Sequence, residues 1–549
     1  MVINRFSRKR AGTGEATQHS DSVGSRLTGD LTQTLDNILS ELGNSPDLKI
    51  RQVQLGGEQP VQVAAVHLSG LADADTVNKF VIGSLLGNTD ELVTDSRNNN
   101  QQLTELILNR ALEIGEAELK EEWNDIMLAI LSGDTAILLE GYRVAIICET
   151  KGGEWRAVSE SSSQLVVRGP KDSFVESVAT NISLIRRRIK SPKLRLEFMK
   201  IGSVTQTHVA LMFIKDTADD DQVEEVRKRL QRISIDAILE SGYIEELIQD
   251  KTFTPFPTIY NTERPDVAAG NLLEGRIVVI VDGTPFVLIL PAIFTQFFQS
   301  AEDYSQRFDI VILMRIVRYL SFIVLILGPS VFIALTTYHY EMIPTTLLIN
   351  LLTQRENVPF PAFVEALLME SAFEILREAG VRMPRVIGQT VSVVGALILG
   401  QAVVDAGIIT PVMVIVVALT GIASFAIPAY NMAIAGRIIR FAFLLLAGMF
   451  GFYGVTLGLI MLVAHMNSLR SFGIPYLSPF VPLSVKGQKD TILRLPLWAM
   501  RPHKTPRQSR EARSQGKQVA AGHSENLSPK IREKINADES QKGGARDDN

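Results

Sequence analysis

Residues 386–427 read VIGQTVSVVGALILGQAVVDAGIITPVMVIVVALTGIASFAI, a stretch in which Asp405 is the only charged residue. A helix rises about 1.5 Å per residue, so about 20 apolar residues cross the roughly 30 Å hydrocarbon core of a bilayer. The stretch therefore holds two crossings, 386–405 and 408–427, with little more than Asp405, Ala406 and Gly407 between them, which forces a tight helical hairpin. Two further runs reach the same length, 319–338 and 441–463, the first preceded by Arg315 and Arg318 and the second opened by Arg437 and Arg440. The expectation is an α-helical polytopic membrane domain over residues 311–470. Within it, 343–376 leaves room for a re-entrant piece or an extra span, because PTTLLINLLT (344–353) is too short to cross alone.

Upstream, charged and apolar residues are mixed. Strand-like LKIRQVQL (48–55) and VQVAAVH (61–67) precede a helical DADTVNKFVIGSLLG, and TAILLEGYRVAIIC turns at Glu140-Gly141. After SFVESVATNISLIRRRIK, a helix, come the strands LRLEFMKI and THVALMFI, the helix DDQVEEVRKRLQRI, and RIVVIVDGTPFVLILP (276–291), whose Asp282-Gly283 favours a β-hairpin over a hidden fifth span. This order predicts an α/β N-terminal soluble region of two subdomains, 41–160 and 161–310, with mixed sheets and helices. Residues 1–40 are expected to be a polar, disordered tail, 471–500 a C-terminal cytosolic segment, and 501–549 a second disordered tail. The basic N-terminal segment lacks the apolar core of a secretory signal, so the soluble region is expected on the cytosolic side.

A net charge of −5 gives no reason to expect nucleic acid, and the single cysteine, Cys148, excludes an intramolecular disulfide. No P-loop, GxGxxG, GxSxG or HExxH is present. No enzymatic activity, cofactor or metal is expected.

The polar and small residues of the membrane domain carry more information. On a helix Ser392, Ala396 and Gly400 fall at i, i+4 and i+8, and Gly388, Gly395 and Ala402 add a seven-residue repeat. Such stripes let helices approach closely in lipid. Packing inside one subunit explains the stripe; Gln389, Thr390, Gln401 and Asp405 still need partners or water. Several copies around a hydrated axis would provide both, with Gln389, Ser392, Gln401, Asp405 and Glu365 as the candidate lining. In FPAFVEALLMESAFEILREAG (360–380), Glu370, Glu374, Arg377 and Glu378 share one side, read as a solvated face with a Glu374–Arg377 pair. Glu365 falls instead among Leu368, Ala372 and Leu376, where a carboxylate binds a cation or, more commonly, pairs with an arginine of a neighbour. A secondary transporter needs repeated broken helices; the Gly328-Pro329 break has no second copy.

Several phrases together resemble one family: VVRGPKDSFVESVATNISLIRRRI (166–189), EGRIVVIVDGTPFVLILP (274–291), QSAEDYSQRF (299–308), RENVPFPAFVEALLMESAFEILREAG (355–380), MPRVIGQTVSVVGALILGQAVVDAGIITPVMVIVVALT (383–420) and GIPYLSP (473–479). They are similar to the A subunits of bacterial spore germinant receptors, the GerA family, to which the stage V sporulation AF protein is closely related. The resemblance implies a multi-pass protein of the spore inner membrane. Its implied partners are a transporter-like B subunit that binds the nutrient, a lipoprotein C subunit, membrane lipid and further copies of itself. The implied role is to couple nutrient sensing to the passage of monovalent cations. The family brings no catalytic residues, and a stage V sporulation AF-type accessory membrane protein or a non-conducting scaffold of the receptor remains the alternative.

Overall fold

The computed structural model describes residues 26–56, 60–87, 103–108, 112, 114, 116–152, 164, 166–382, 395, 398–483, 488 and 490–496. They divide into two compact units, Met1–Gly153 with Lys190–Pro192, and Glu154–Ile189 with Lys193–Asn549.

In the first unit, helix α1 (Leu31–Leu42) starts at Asp30, whose carboxylate accepts from Gln33 N, and buries Leu31, Leu35, Ile38 and Leu42. The polar tail expected to reach residue 40 therefore stops short of Asp30: four aliphatic residues on one helical stripe outweigh the polar ones between them. Strands β1 (Leu48–Leu55), β2 (Val61–Leu68), β3 (Ala117–Lys120), β4 (Thr135–Leu139) and β5 (Ala145–Cys148) form one sheet in the order β1-β2-β4-β5-β3. Helix α2 (Trp123–Ser132) packs with α1 on the face that carries Ala64, Val66, Leu138 and Ile147.

The second unit repeats the pattern. Helix α3 (Val178–Arg188) leads into β6 (Leu194–Ile201) and β7 (Thr207–Ile214); α4 (Asp220–Arg232) and α5 (Ser241–Ile248) follow, then β8 (Tyr260–Thr262), α6 (Pro265–Leu273), β9 (Ile277–Val281) and β10 (Val287–Leu290). The sheet order, β6-β7-β9-β10-β8, matches the first strand for strand. All named pairings in both sheets are antiparallel, so the sheets are not mixed as expected. Short hairpin connections account for much of this: five residues separate Ile201 from Thr207 and Val281 from Val287, too few for the crossover that parallel neighbours need. Gly283, at φ 91°, supplies the left-handed residue for the β9–β10 turn. Every residue of β9 is buried: Val278 and Ile280 face α3 and α6, Val279 and Val281 face α4 and α5. With both faces covered, the strand reads as an unbroken apolar run.

The core on the α3 side continues through Phe294, Phe297, Phe298 and Tyr476 into the helices that follow. These are α7 (Phe308–Thr337), α8 (Thr345–Arg355), α9 (Ala362–Arg382), a short piece over 398–405, α10 (Pro411–Phe425) and α11 (Tyr430–Ser468). Two of them, α7 and α11, are long and apolar enough to cross a membrane. Helix α10, with 15 residues, is about 22 Å long, shorter than the expected 408–427 crossing. Most of the expected 386–405 crossing lies outside the described residues.

The expected 441–463 crossing is not one straight span. Gly451 sits at φ 58°, ψ −139°, inside α11. A Cβ placed on Gly458 would lie 2.9 Å from both Leu446 Cδ1 and Phe443 Cε1. In a straight helix residues 443 and 458 are about 22 Å apart, so the chain turns back at Gly451 and 452–468 runs antiparallel to 430–450. Tyr338, at the end of α7, closes the apex by donating from its hydroxyl to Gly448 O (2.8 Å) and Met449 O (3.0 Å). The returning arm ends beside the sheet region, where β11 (Arg470–Ser471) and β12 (Ile474–Pro475) pair and Ser471 Oγ donates to Thr258 O at 2.6 Å.

Candidate functional site

The helical part of the second unit carries its charges inside. Glu370 of α9 is 1% exposed and its Oε2 lies 2.8 Å from Arg440 Nη2 of α11. One turn on, Glu374 takes Arg440 Nη2 on Oε1 (3.0 Å) and Arg437 Nη1 on Oε2 (2.8 Å). Arg377 approaches Glu374 Oε1 at 3.4 Å and donates to Ser424 Oγ of α10 at 3.0 Å. Two carboxylates thus face three guanidiniums contributed by two helices. The solvated face expected on α9 is therefore split: Glu378 stays exposed with Arg382, whereas Glu370 is enclosed because α11 lies against that side. Removing such charges from water is costly unless each finds a partner, and the spacing supplies them, i and i+4 on α9 against i and i+3 on α11. Arg440 lies eleven residues from the Gly451 apex, about 16 Å along the helix, roughly half the thickness of a hydrocarbon core.

Nearer the apex, Glu365 is fully buried. Its Oε2 accepts from Thr410 N (3.0 Å) and Thr410 Oγ1 (2.9 Å), and Arg355 Nη2 stands 3.6 Å from its Oε1. The arginine beside it comes from the same chain, and the carboxylate holds the start of α10.

At the other end of the bundle, Asp303, 1% exposed, binds Arg315 Nε at 3.0 Å and Arg318 Nη1 at 2.9 Å. Arg315 Nη1 also reaches Asp490 Oδ1 at 3.0 Å, and Tyr304 donates its hydroxyl to Asp490 Oδ2 at 2.7 Å. This knot ties the first turns of α7 to the segment before it and to the chain after β12. In the sequence both arginines stand only as flanks of a span. Their spacing of three, with Glu302-Asp303 about a dozen residues upstream, was the available signal.

Of the other candidate residues, Gln389 and Ser392 lie outside the described residues, as do Thr390, Gly388 and Ala396. Gly395 faces α9: a Cβ there would meet Leu376 Cδ1 at 2.8 Å. Gly400, Gln401, Ala402 and Asp405 are exposed, and a Cβ on Gly400 would meet no atom of the described residues within 4 Å. Gln401 sits in a π-helical turn, Ile398–Ala402, a local geometry frequent at functional sites. The structure thus separates the candidates, enclosing Glu365 and leaving Gln401 and Asp405 on the surface. Elsewhere the helices expose large apolar side chains, with Leu320 and Ile323 of α7, Ile415 and Leu419 of α10, and Leu457 and Ile460 of α11 all on the surface.

The model of the Bacillus/Clostridium GerA spore germination protein family matches residues 36–506. Spore germination protein KA of Bacillus subtilis is 52% identical over 469 residues, 85% of each chain. Spore germination protein GerLA of Bacillus cereus is 40% identical over 86% of this chain and 94% of its own. Among solved structures, the N-terminal domain of the A subunit of the Bacillus megaterium spore germinant receptor GerK3 is 40% identical, with a TM-score of 0.38 over 50% of this chain and 99% of that one.

Proposed function

Because the chain belongs to the GerA family of spore germination proteins, we propose that it is the A subunit of a germinant receptor, and that copies of it assemble in the spore inner membrane around a path for monovalent cations. Nutrient sensing by a transporter-like B subunit, with a lipoprotein C subunit in the same assembly, opens that path. The α/β region lies on the cytosolic side and transmits the signal through the knot at Asp303.

The observation that carries this reading is the outward edge formed by Gly400, Gln401, Ala402 and Asp405. It is small and polar, whereas α7, α10 and α11 expose large apolar side chains such as Leu320, Ile415 and Leu457, and among the described residues the space at Gly400 is open to a neighbouring helix. The apolar exterior and the charges paired inside are the distribution a lipid solvent selects. The alternative is a scaffold that conducts nothing. Gly395 favours it, because that member of the stripe packs against Leu376 within the chain.

Recording from the purified full chain in planar bilayers separates the two. The channel reading expects discrete cation currents whose conductance or selectivity changes severalfold in Gln401→Leu and Asp405→Leu, with the mass of the assembly unchanged. Currents identical in both variants refute the assigned lining, and an assembly silent with its partners and nutrient present leaves the scaffold.

A further inference from the structure

A cavity of about 290 Å³ opens in the second unit where the sheet region meets the turn between α10 and α11. Its walls are aromatic on several sides: Tyr260 of β8, Phe286 before β10, Phe297, and Tyr430 at the start of α11. Two carboxylates line it, Glu240 and Glu245, together with the amides of Asn261 and Asn431, and among the described residues no lysine or arginine lines it.

The two carboxylates differ in how far they are committed. Glu240 caps α5, with Oε2 accepting from Gly242 N and Oε1 from Ser241 Oγ and Thr284 Oγ1, at 2.5, 2.6 and 3.0 Å. Glu245, one turn further on, has a single long contact among the described residues, with Asn261 Nδ2 3.5 Å from its Oε2. A half-buried carboxylate with so little to accept is an unmet demand for positive charge. Aromatic faces beside it attract a cation through their quadrupoles. An anion is excluded by both glutamates, and a bare metal ion would find aromatic carbon where it needs oxygen.

We propose that this cavity binds a small organic ammonium ion, its charge at Glu245 and its alkyl groups against Tyr260, Phe286, Phe297 and Tyr430. The volume is at the lower end of small-molecule sites and suits a ligand of fewer than about a dozen heavy atoms. Pro428 to Asn431 form one wall, so an occupant touches the sheet region and the first turn of α11 together. The site is independent of conduction and stands whether the assembly is a channel or a scaffold.

Calorimetric titration of the full chain in detergent tests it, with choline as the probe, 3,3-dimethyl-1-butanol as its uncharged isostere and potassium as the inorganic cation. The expected result is choline binding at least about tenfold tighter than either, a difference of about 1.4 kcal/mol. Glu245→Gln should weaken choline about tenfold or more, and Asn431→Phe, which fills the cavity from the helix side while leaving Glu245 in place, should abolish binding. Equal affinity for choline and its isostere, tighter binding of potassium than of choline, or choline binding unchanged in Asn431→Phe would each overturn the assignment. So would an absence of choline heat with the parent protein folded.

Discussion

The second sheet and the helices that follow it share a core, yet they sort their side chains in opposite directions. In β9 all five residues are apolar and buried, while Arg227 and Glu197 meet outside on the helix and strand surface at 2.7 Å. In the helices Ile415, Leu419, Ile422 and Phe425 are exposed and Glu370 and Arg440 are inside. Each region conceals a different class of side chain: water rejects the aliphatic run of β9, and hydrocarbon, the surroundings proposed for the helices, would reject the ions of α9 and α11. The same residue types therefore carry different energies in the two regions, and substitutions measure the difference.

The largest effect is expected at the buried ion network. Arg440→Met strands Glu370 without its partner and should cost about 3–5 kcal/mol, seen as a large loss of thermal stability in detergent. Combining it with Glu370→Leu should recover most of that loss, because an apolar pair of similar size replaces both ions. A double variant as unstable as the single one would contradict the reading of the pair as a mutual compensation.

Glycines supply the next comparison. Gly451→Ala must force a side chain into a conformation almost reserved for glycine and also into Tyr338, whose Cβ would be 2.9 Å away. Strain and overpacking together predict about 2–4 kcal/mol. Gly283→Ala, also at positive φ but with nothing within 4 Å, should cost only about 1 kcal/mol. Equal losses by thermal unfolding would mean that the helical apex is as open as the hairpin turn.

A pH series probes the cavity carboxylate. Burial pushes Glu245 up to about 7; the Asn261 amide opposes this, and Glu240 adds to it. A carboxyl whose folded pKa is raised favours folding while protonated, and that contribution is lost as pH rises from the unfolded value, near 4.3, through about 7. Glu245→Gln should thus match the parent near pH 4 and become more stable above it, by about 1–3 kcal/mol from pH 7 upward. Melting temperatures that differ by the same amount at pH 4 and pH 8 would remove the titration from the explanation. The smallest effect belongs to the half-buried pairs on the sheet and helix surface: Arg227→Met, which breaks contacts to Glu197 and Glu224, should cost about 1 kcal/mol or less, and less still in high salt.

Much of the sheet region was legible because its signals are local. Asp282-Gly283 between two apolar runs is a turn in any context, and the Glu140-Gly141 hairpin follows the same logic. Helix α1 was missed although Leu31, Leu35, Ile38 and Leu42 form a stripe, since the polar residues between them matched those of the tail before. The helical region failed differently. Every residue from Phe441 to Val463 is compatible with lipid, so composition cannot register a reversal; only the backbone angles at Gly451 do. The glutamates of α9 and the arginines of α11 were each visible at helical spacing, but their meeting depends on two helices some sixty residues apart and not on either segment alone. Gln401 and Asp405 were recognisable as polar, while their exposure on this chain depends on the helices around them and not on their own segment.

The fold-back at Gly451 is the claim on which the depth of the ion network and the return of the chain to the sheet region both depend. In sealed vesicles and a Cys148→Ala background, Asn431→Cys and Ser468→Cys can be challenged with a membrane-impermeant maleimide, alongside Phe452→Cys near the apex. The hairpin requires 431 and 468 to react from the same face and 452 from the opposite one. Reaction of 431 and 468 from opposite faces, with 452 protected, would mean one straight crossing and would contradict the account.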